Sequence, residues 1–572
     1  MKYIIGVSAF YYESSVSLIE GDKFVEFLKE ESFTRIKGTN VFPKLSLQFL
    51  KEKYNLTDNN VVACVFYEKP FLSWSRLTFF SMQKPFKRWK INSSQFKKIW
   101  AGGFLFSYFV KQIIPLKTNK ILYSPHHVSH ALTSTLYDNY KKTNGSDSKL
   151  IFVVDGVGDG ETFSIFKMNK SNLSRIYVDL FPNSIGLFYS TVTDYLGFNI
   201  NEGEFKVMGL SAYGKPVHKD FILENIINWK NNKIDINLSW FDFDKNPERS
   251  YSQKFLNYFG NTRSKSDLTN LLSVDFRKCA DIASSFQFVL EYLLLEITKW
   301  AIYKTGIKNI YFSGGVSQNS LAMSKIANIN EIQSFTVPPS PGDAGAALGA
   351  ANFGYHVIYK QFVNSTPLFF SNNFKFPKTN IFLDYFESFD KLNNNIKKVA
   401  KLLLTGEIIC IFDSGSETGP RSLGNRSLIC DAKQTSVVET LNYKIKGRES
   451  YRPLAPVILK KHLKKYFNSD TKYEHNLLWM GLTVKAKKET ILNFKSCVHI
   501  DGSSRVQVVL DQNLILYQLL QETTKLGNDI LINTSFNSSD EPIVFDYMDC
   551  YVSMVKMQLK YLLYNKKLYV RK

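Results

Sequence analysis

Three of the chain's eight histidines fall within five positions, His126-His127-Val-Ser-His130, and Asp155 and Asp343 stand at strand or loop ends in the same half. His126 and His130 are four apart, so on a helix they share a face and can converge on one ion. Two imidazoles with two carboxylates make a mixed nitrogen–oxygen donor set, suited to a divalent transition metal such as Fe2+, Mn2+ or Zn2+. Two histidines at this spacing also occur on ordinary surface or core helices. The crowding, with two acids nearby, favours a metal.

Other residues have the chemistry of anion binding. In the segment Glu202-Gly-Glu-Phe-Lys-Val-Met-Gly209, Lys206 can neutralise a phosphate and Gly209 permits close backbone approach, although alone this reads as an ordinary loop. The loop Ser313-Gly-Gly-Val-Ser-Gln-Asn319, containing Gly314 and Gly315, has a strand–glycine–helix pattern, and Pro341-Gly-Asp-Ala-Gly345 follows one strand later. Opposed glycine loops of this kind can enclose a nucleotide. Further along, Arg421, Asn425, Lys446, Arg448, Arg452, Asn533 and Ser535 gather cations, amides and hydroxyls with few acids, the arginines framed by Gly and Pro beside Leu and Ala. Arginine forks bind phosphate oxygens bidentately, and amides and hydroxyls complete the shell. That framing is unlike a merely solvated basic face.

Positioning these groups requires a particular set of elements. The first 30 residues read as a meander over 3–8, 14–20 and 23–29 with a Gly21-Asp22 turn, and a similar strand–turn–strand returns at 150–167. Two such copies suggest an internal duplication, the outline of an actin-like ATPase fold whose halves clasp a nucleotide. Regular patterning falls off around 359–378, and a second α/β unit begins with a helix expected over 389–405 and a strand over 408–412. The expected organisation is residues 1–360, a linker over 361–378, and a C-terminal domain over 379–572.

At 572 residues the chain exceeds what one core holds. No run of 18 residues is free of charge, and the most apolar helical stretch, 286–303, carries Glu291, Glu296 and Lys299, so it reads as a buried helix and not a membrane span. The start of the chain enters a strand pattern directly, and six scattered cysteines form no C-x-x-C pair, which together point to the cytoplasm. The net charge of +21 suits anionic partners, nucleic acid included, but the basic residues are spread along a Lys-, Asn- and Ile-rich chain, which disfavours that reading. The aromatic, basic stretch 67–115, with Arg88, Trp89 and Trp100, is expected either to shape access for an acceptor or to pack as an insertion or homodimer contact.

Taken together, these residues resemble the O-carbamoyltransferases related to the nodulation-factor enzyme and to those that carbamoylate tobramycin, cephamycin and novobiocin. The matching segments, in order, are PHHVSHA (125–131), VVDGVGDG (153–160), EFKVMGLSAYG (204–214), FSGGVSQNS (312–320), PPSPGDAGAALGAA (338–351), ETGPRSLGNRSL (417–428), KGRESYRPLAPVI (446–458), and NTSFN with DEPIV (533–544). The resemblance implies an α/β chain with a duplicated actin-like domain followed by a YrdC-like domain. It implies carbamoyladenylate made from carbamoyl phosphate and ATP with Mg2+, then transfer to a small-molecule hydroxyl on a sugar, nucleoside or nucleotide-sugar. By motif, His126, His130, Asp155 and Asp343 would hold the metal, iron in relatives. Gly314, Gly315 and Asn319 would meet the nucleotide, and the seven C-terminal residues named above would cradle carbamoyl phosphate and ATP, with Arg448 also in a catalytic role.

The family pattern has His-Asp in its first turn, whereas this chain has Tyr12-Glu13. Glu13 can serve as the base or as an acceptor anchor, and His127 is a candidate replacement for the missing histidine. Asp540 also stands where a glycine is usual. Two alternatives share the fold: a threonylcarbamoyl-type transferase acting on tRNA, and a degenerate nucleotide-binding protein.

Overall fold

Strand β1 (Tyr3–Ser8) is buried along its whole length, as a central strand covered on both faces must be. It continues into β2 (Ser15–Glu20) and β3 (Lys23–Lys29), an antiparallel meander whose tight turn uses Gly21 at φ +62°. The coordinates are a computed structural model that describes residues 1–83, 103–138, 148–243, 245–246, 249–263, 271–370, 384–389, 394–413 and 415–572. Arg88, Trp89, Trp100 and residues 371–378 of the expected linker lie outside them.

Strands β4 (Val61–Phe66) and β5 (Ile121–Tyr123) add in parallel beside β1, giving the order β3-β2-β1-β4-β5. A second sheet forms from the meander β6 (Ser148–Gly158), β7 (Glu161–Asn169) and β8 (Asn172–Leu180). After a hairpin, β9 (Ile227–Lys230) and β10 (Lys233–Ile236), the chain returns as β11 (Asn309–Ser313) and β12 (Ser334–Thr336), both parallel to β6. The resulting order, β12-β11-β6-β7-β8, repeats the first sheet strand for strand. The duplication read from two meanders thus extends to five strands each, the topology of an actin-like fold.

The helix Val274–Thr305 is capped by the Ser273 hydroxyl accepting from Phe276 N–H and stops at Gly306, φ +69°. It is the apolar stretch expected to be buried; its Glu291 is 5% exposed and pairs with Lys325. Among the described residues no helix is long and apolar enough to cross a membrane.

The helix Asp343–Tyr359 is rich in Ala and Gly because it packs backbone against backbone. A Cβ on Gly349 would lie 1.7 Å from the carbonyl oxygen of Ser129, in the neighbouring helix His126–Ser134. The hydroxyls of Ser15 and Ser17 donate to the carbonyls of Ala344 and Ala347, tying the same helix to β2. These contacts bring Asp343 to the histidine helix.

Two compact units result: 1–30 with 39–366, and 31–38 with 367–572. The second contains an eight-stranded sheet built of β14 (Phe386–Ser388), β15 (Ile409–Phe412), β17 (Arg426–Asp431), β18 (Ala455–Leu459), β21 (Gln507–Val509), β22 (Ile530–Ser535), β23 (Tyr561–Tyr564) and β24 (Lys567–Arg571), in the order β14-β24-β23-β15-β17-β22-β18-β21. Two short pairs accompany it, β13 (Phe369–Phe370) with β16 (Ser416–Glu417) and β19 (Val484–Lys485) with β20 (Ser503–Ser504). Helices Ile396–Leu404 and Ile515–Lys525 cover the sheet, the first through Ile396, Val399, Ala400 and Leu403 at helical spacing. That helix starts later than the pattern 389–405 implies. The Asn394 side chain accepts the Ile396 N–H at 3.1 Å, and such local bonds compete with a helical start.

Candidate functional site

The helix His126–Ser134 begins after Pro125 in extended conformation and presents His126 and His130 one turn apart. Their Nε2 atoms lie 3.1 Å from each other. Asp155, near the end of β6, places Oδ2 at 3.1 Å from His126 Nε2 and 3.4 Å from His130 Nε2. Asp343, the first residue of its helix, places Oδ1 at 3.8 and 3.3 Å from the same two nitrogens. One donor atom from each of the four residues falls within 4.8 Å of every other.

The surroundings fix how these donors point. His130 Nδ1 donates to the Pro341 carbonyl at 3.0 Å, which turns Nε2 toward the acids. Asp155 Oδ1 accepts Gly156 N–H at 2.8 Å and Gly315 N–H at 3.4 Å, leaving Oδ2 for the histidines. Burial pushes the Asp155 carboxyl up, but both imidazoles outweigh it and hold it well below its usual range. Burial likewise lowers His130, and Asp155 and Asp343 overcome that, pushing it up to about 9. Two ring nitrogens and two carboxylates in such contact could hold a divalent ion, which the mixed donor set fits.

Gly314 shares the Pro341 carbonyl, donating to it at 2.9 Å, so the two glycine loops meet at one atom. Gly314 has φ +88°, and a Cβ there would sit 2.3 Å from the Val154 carbonyl oxygen. Asn319 is already committed: its Oδ1 caps the helix Ser320–Ala327, and its amide pairs with Gln287. Lys206 and Gly209 belong to the helix Glu204–Leu210, with Lys206 Nζ 5.4 Å from the Phe198 ring centre. Glu13 lies in the β1–β2 turn at φ +53°, with Lys29 at 3.6 Å. His127 stands apart from the four donors. It is buried, its Nδ1 2.7 Å from Ser164 Oγ and 3.2 Å from Glu161, which Arg175 pairs at 2.7 Å. Burial pushes His127 well below its usual value, so it is a neutral imidazole.

In the second unit four half-buried guanidiniums, Arg421, Arg448, Arg452 and Arg505, repel one another. Burial and neighbouring arginines push Arg421 and Arg448 well below the usual value and Arg505 down to about 10. Arg452 pairs with Glu449 at 3.2 Å, and Arg448 donates to Thr534 Oγ1 at 2.8 Å. Such a cluster calls for an anion. Lys446 is buried and anchored to the Ser535 carbonyl and to the Asn537 carbonyl and side-chain oxygens at 2.6–2.8 Å. Asn533 clamps the Arg421 loop through the Ser422 carbonyl and bonds Gln507 at 2.5 Å. Asn425, with Leu423 and Arg426, gives its backbone N–H to Glu417 Oε1. Sequence reasoning missed Arg505, a lone arginine in Ser-Ser-Arg-Val with no Gly or Pro beside it.

Comparison with known proteins shows the family. The family described as carbamoyltransferase N-terminus matches residues 3–352, and the one described as carbamoyltransferase C-terminus matches 400–572. An uncharacterized protein of Synechocystis sp. is 29% identical, the alignment covering 98% of this chain and 95% of that protein. The nodulation protein NolNO of Sinorhizobium fredii is 24% identical over 96% of this chain and 78% of its own length. The solved structure of component A of the Acidaminococcus fermentans (R)-2-hydroxyglutaryl-CoA dehydratase aligns over 62% of this chain and 99% of that one, at 12% identity and a TM-score of 0.33; the fold rests on the strand orders above and not on that likeness. Matched along both of its halves, the chain belongs to the carbamoyltransferase family and is a carbamoyl-transferring enzyme.

Proposed function

We propose that the chain is an O-carbamoyltransferase that forms carbamoyladenylate from carbamoyl phosphate and ATP in its C-terminal unit and delivers the carbamoyl group to a hydroxyl of a sugar-like or nucleoside-like small molecule in its N-terminal unit. The observation that carries this reading is the cluster of four half-buried guanidiniums, Arg421, Arg448, Arg452 and Arg505, each pressed by another's positive charge.

Arg421, Arg448, Arg452 and Arg505 would bind the phosphate oxygens of carbamoyl phosphate and ATP. Water releases phosphate and leaves carbamate, whose oxygen attacks the α-phosphorus of ATP. The bond to pyrophosphate breaks and carbamoyladenylate forms, with guanidiniums facing the charge on the leaving group. In the N-terminal unit the acceptor oxygen attacks the carbamoyl carbon, the bond to the adenylate oxygen breaks, and AMP departs. Glu13 is the carboxylate proposed to take the acceptor's proton, with His127, held by Ser164 and Glu161, as the alternative base. A divalent ion held by His126, His130, Asp155 and Asp343 would supply Lewis-acid stabilisation of developing oxygen charge. Gly314 and Gly315 leave room for a nucleotide to approach the backbone.

The test is carbamoyl-phosphate-dependent pyrophosphate release from ATP, with Arg448→Ala beside the wild type. Loss of one preorganised donor is expected to slow release about 100-fold or more. A folded wild type that releases no pyrophosphate refutes the adenylating step.

A further inference from the structure

Beside the histidine helix lies a buried acid to which no role has been given. Glu68 follows β4 and is 3% exposed. Its Oε2 lies 3.8 Å from His126 Nδ1, a buried nitrogen with no hydrogen-bond partner among the described residues. The opposite ring nitrogen, Nε2, is the one facing His130, Asp155 and Asp343.

The juxtaposition is built into the backbone. Asp159, in the left-handed conformation at φ +54°, accepts Lys69 N–H on Oδ1 and His126 N–H on Oδ2, each at 2.8 Å. One carboxylate thus staples the residue after Glu68 to the residue that bears the ring. Gly158 forms the floor, since a Cβ there would be 2.0 Å from His126 Cδ2, and the Tyr67 ring lies 5.1 Å away, centre to centre. His130 has already met the same need with the Pro341 carbonyl.

We propose that Glu68 is a positioning residue of the metal centre, its carboxylate taking the Nδ1–H of His126 so that Nε2 keeps its lone pair for a divalent ion. A metal-bound histidine commonly donates its other N–H to a carboxylate or carbonyl, which fixes its tautomer and ring orientation. The inference rests on the reading of the four donors as a metal site.

The experiment uses the full-length protein stripped of metal and titrated with Co2+, followed by visible absorption and by competition with a chelator. Glu68→Ala is expected to weaken Co2+ binding about 10–100-fold and to shift the absorption band. Glu68→Gln keeps an acceptor oxygen and is expected to fall between the two. Thermal midpoints in chelator separate a folding defect from a metal defect. If Glu68→Ala does not fold, the near-isosteric Glu68→Gln decides. Wild-type affinity and an unchanged band in the folded variant overturn the assignment. A wild type that binds no Co2+ overturns the metal reading and Glu68's role with it, whereas carbamoyl-phosphate-dependent pyrophosphate release, assigned to the other unit, is scored independently.

Discussion

Replacing Gly314 by alanine tests the close approach on which the glycine loop depends. Its φ of +88° suits glycine, and the new Cβ would meet backbone atoms of Val154 at 2.3, 2.7 and 2.9 Å. None of these is the far end of a flexible side chain, so strand or loop must shift. With ψ at 163° Gly314 sits in a region populated almost only by glycine, which costs roughly 1–3 kcal/mol for a residue with a Cβ. Forcing a methyl into packed surroundings adds about 1–3 kcal/mol, for a total of about 2–6 kcal/mol. The internal standard is Gly306→Ala, because Gly306 also has positive φ, +69°, but nothing lies within 4 Å of its Cβ position. Gly306 is left-handed, with ψ at 2°, so that variant carries only the smaller left-handed cost of roughly 1–2 kcal/mol. Because Val154 precedes Asp155, the shift also disturbs a proposed metal donor. Urea unfolding followed by tryptophan fluorescence, with bound divalent metal measured per chain, gives both readouts. Equal destabilisation by the two alanines, with metal content unchanged, would refute the argument.

Two further outcomes follow from charges in the same structure. Burial pushes the Asp179 carboxyl from its usual 3.8 up to about 6, against the hydroxyl that Tyr177 donates to it. A raised carboxyl keeps a proton in the folded state that the unfolded chain gives up, so its contribution is fully present below about pH 4 and is lost as pH rises through about 6, with a ceiling of about 3 kcal/mol. Asp179→Asn should therefore raise the thermal midpoint at pH 7.5 and leave it unchanged at pH 4, and an equal gain at both would contradict the sign. Arg505→Ala relieves repulsion with its neighbours, so it should raise the midpoint in phosphate-free buffer. It should also weaken inorganic phosphate binding about 10–100-fold, the loss expected for a charge-assisted hydrogen bond, as read from the midpoint gained on adding phosphate; an unchanged phosphate increment would exclude it from the anion site.

The four proposed metal donors were legible because their signal is local: an i, i+4 histidine pair on one helix and acids at element ends. The meander was legible for the same reason, through alternation and a Gly-Asp turn. The pairing of the parallel strands that complete each sheet was not, since β11 follows β6 by some 150 residues and only tertiary packing joins them. Arg505 joins its cluster through the β20–β21 segment, with no turn chemistry to mark it. Asn319 was visible as a polar residue after a glycine loop, but its amide pairing with Gln287, which comes from a distant helix, was not. Glu68 is one more acid until Asp159 fixes the segment that bears it.

The second unit's membership has a consequence for how the protein is made. Residues 31–38 belong to it although the remainder begins at Pro367. Within that unit Arg35 reaches Asp549 at 3.1 Å and donates to the carbonyls of Pro542 and Ile543, and the Phe33 ring meets Phe545 at 4.8 Å. A ribosome adding about 5–20 residues per second finishes this short segment roughly 25–100 seconds before its partners exist. Completion of the unit therefore waits until Pro542, Ile543 and Asp549 have been made. A fragment starting at Pro367 would leave Asp549 without Arg35, however well its boundaries match the sheet.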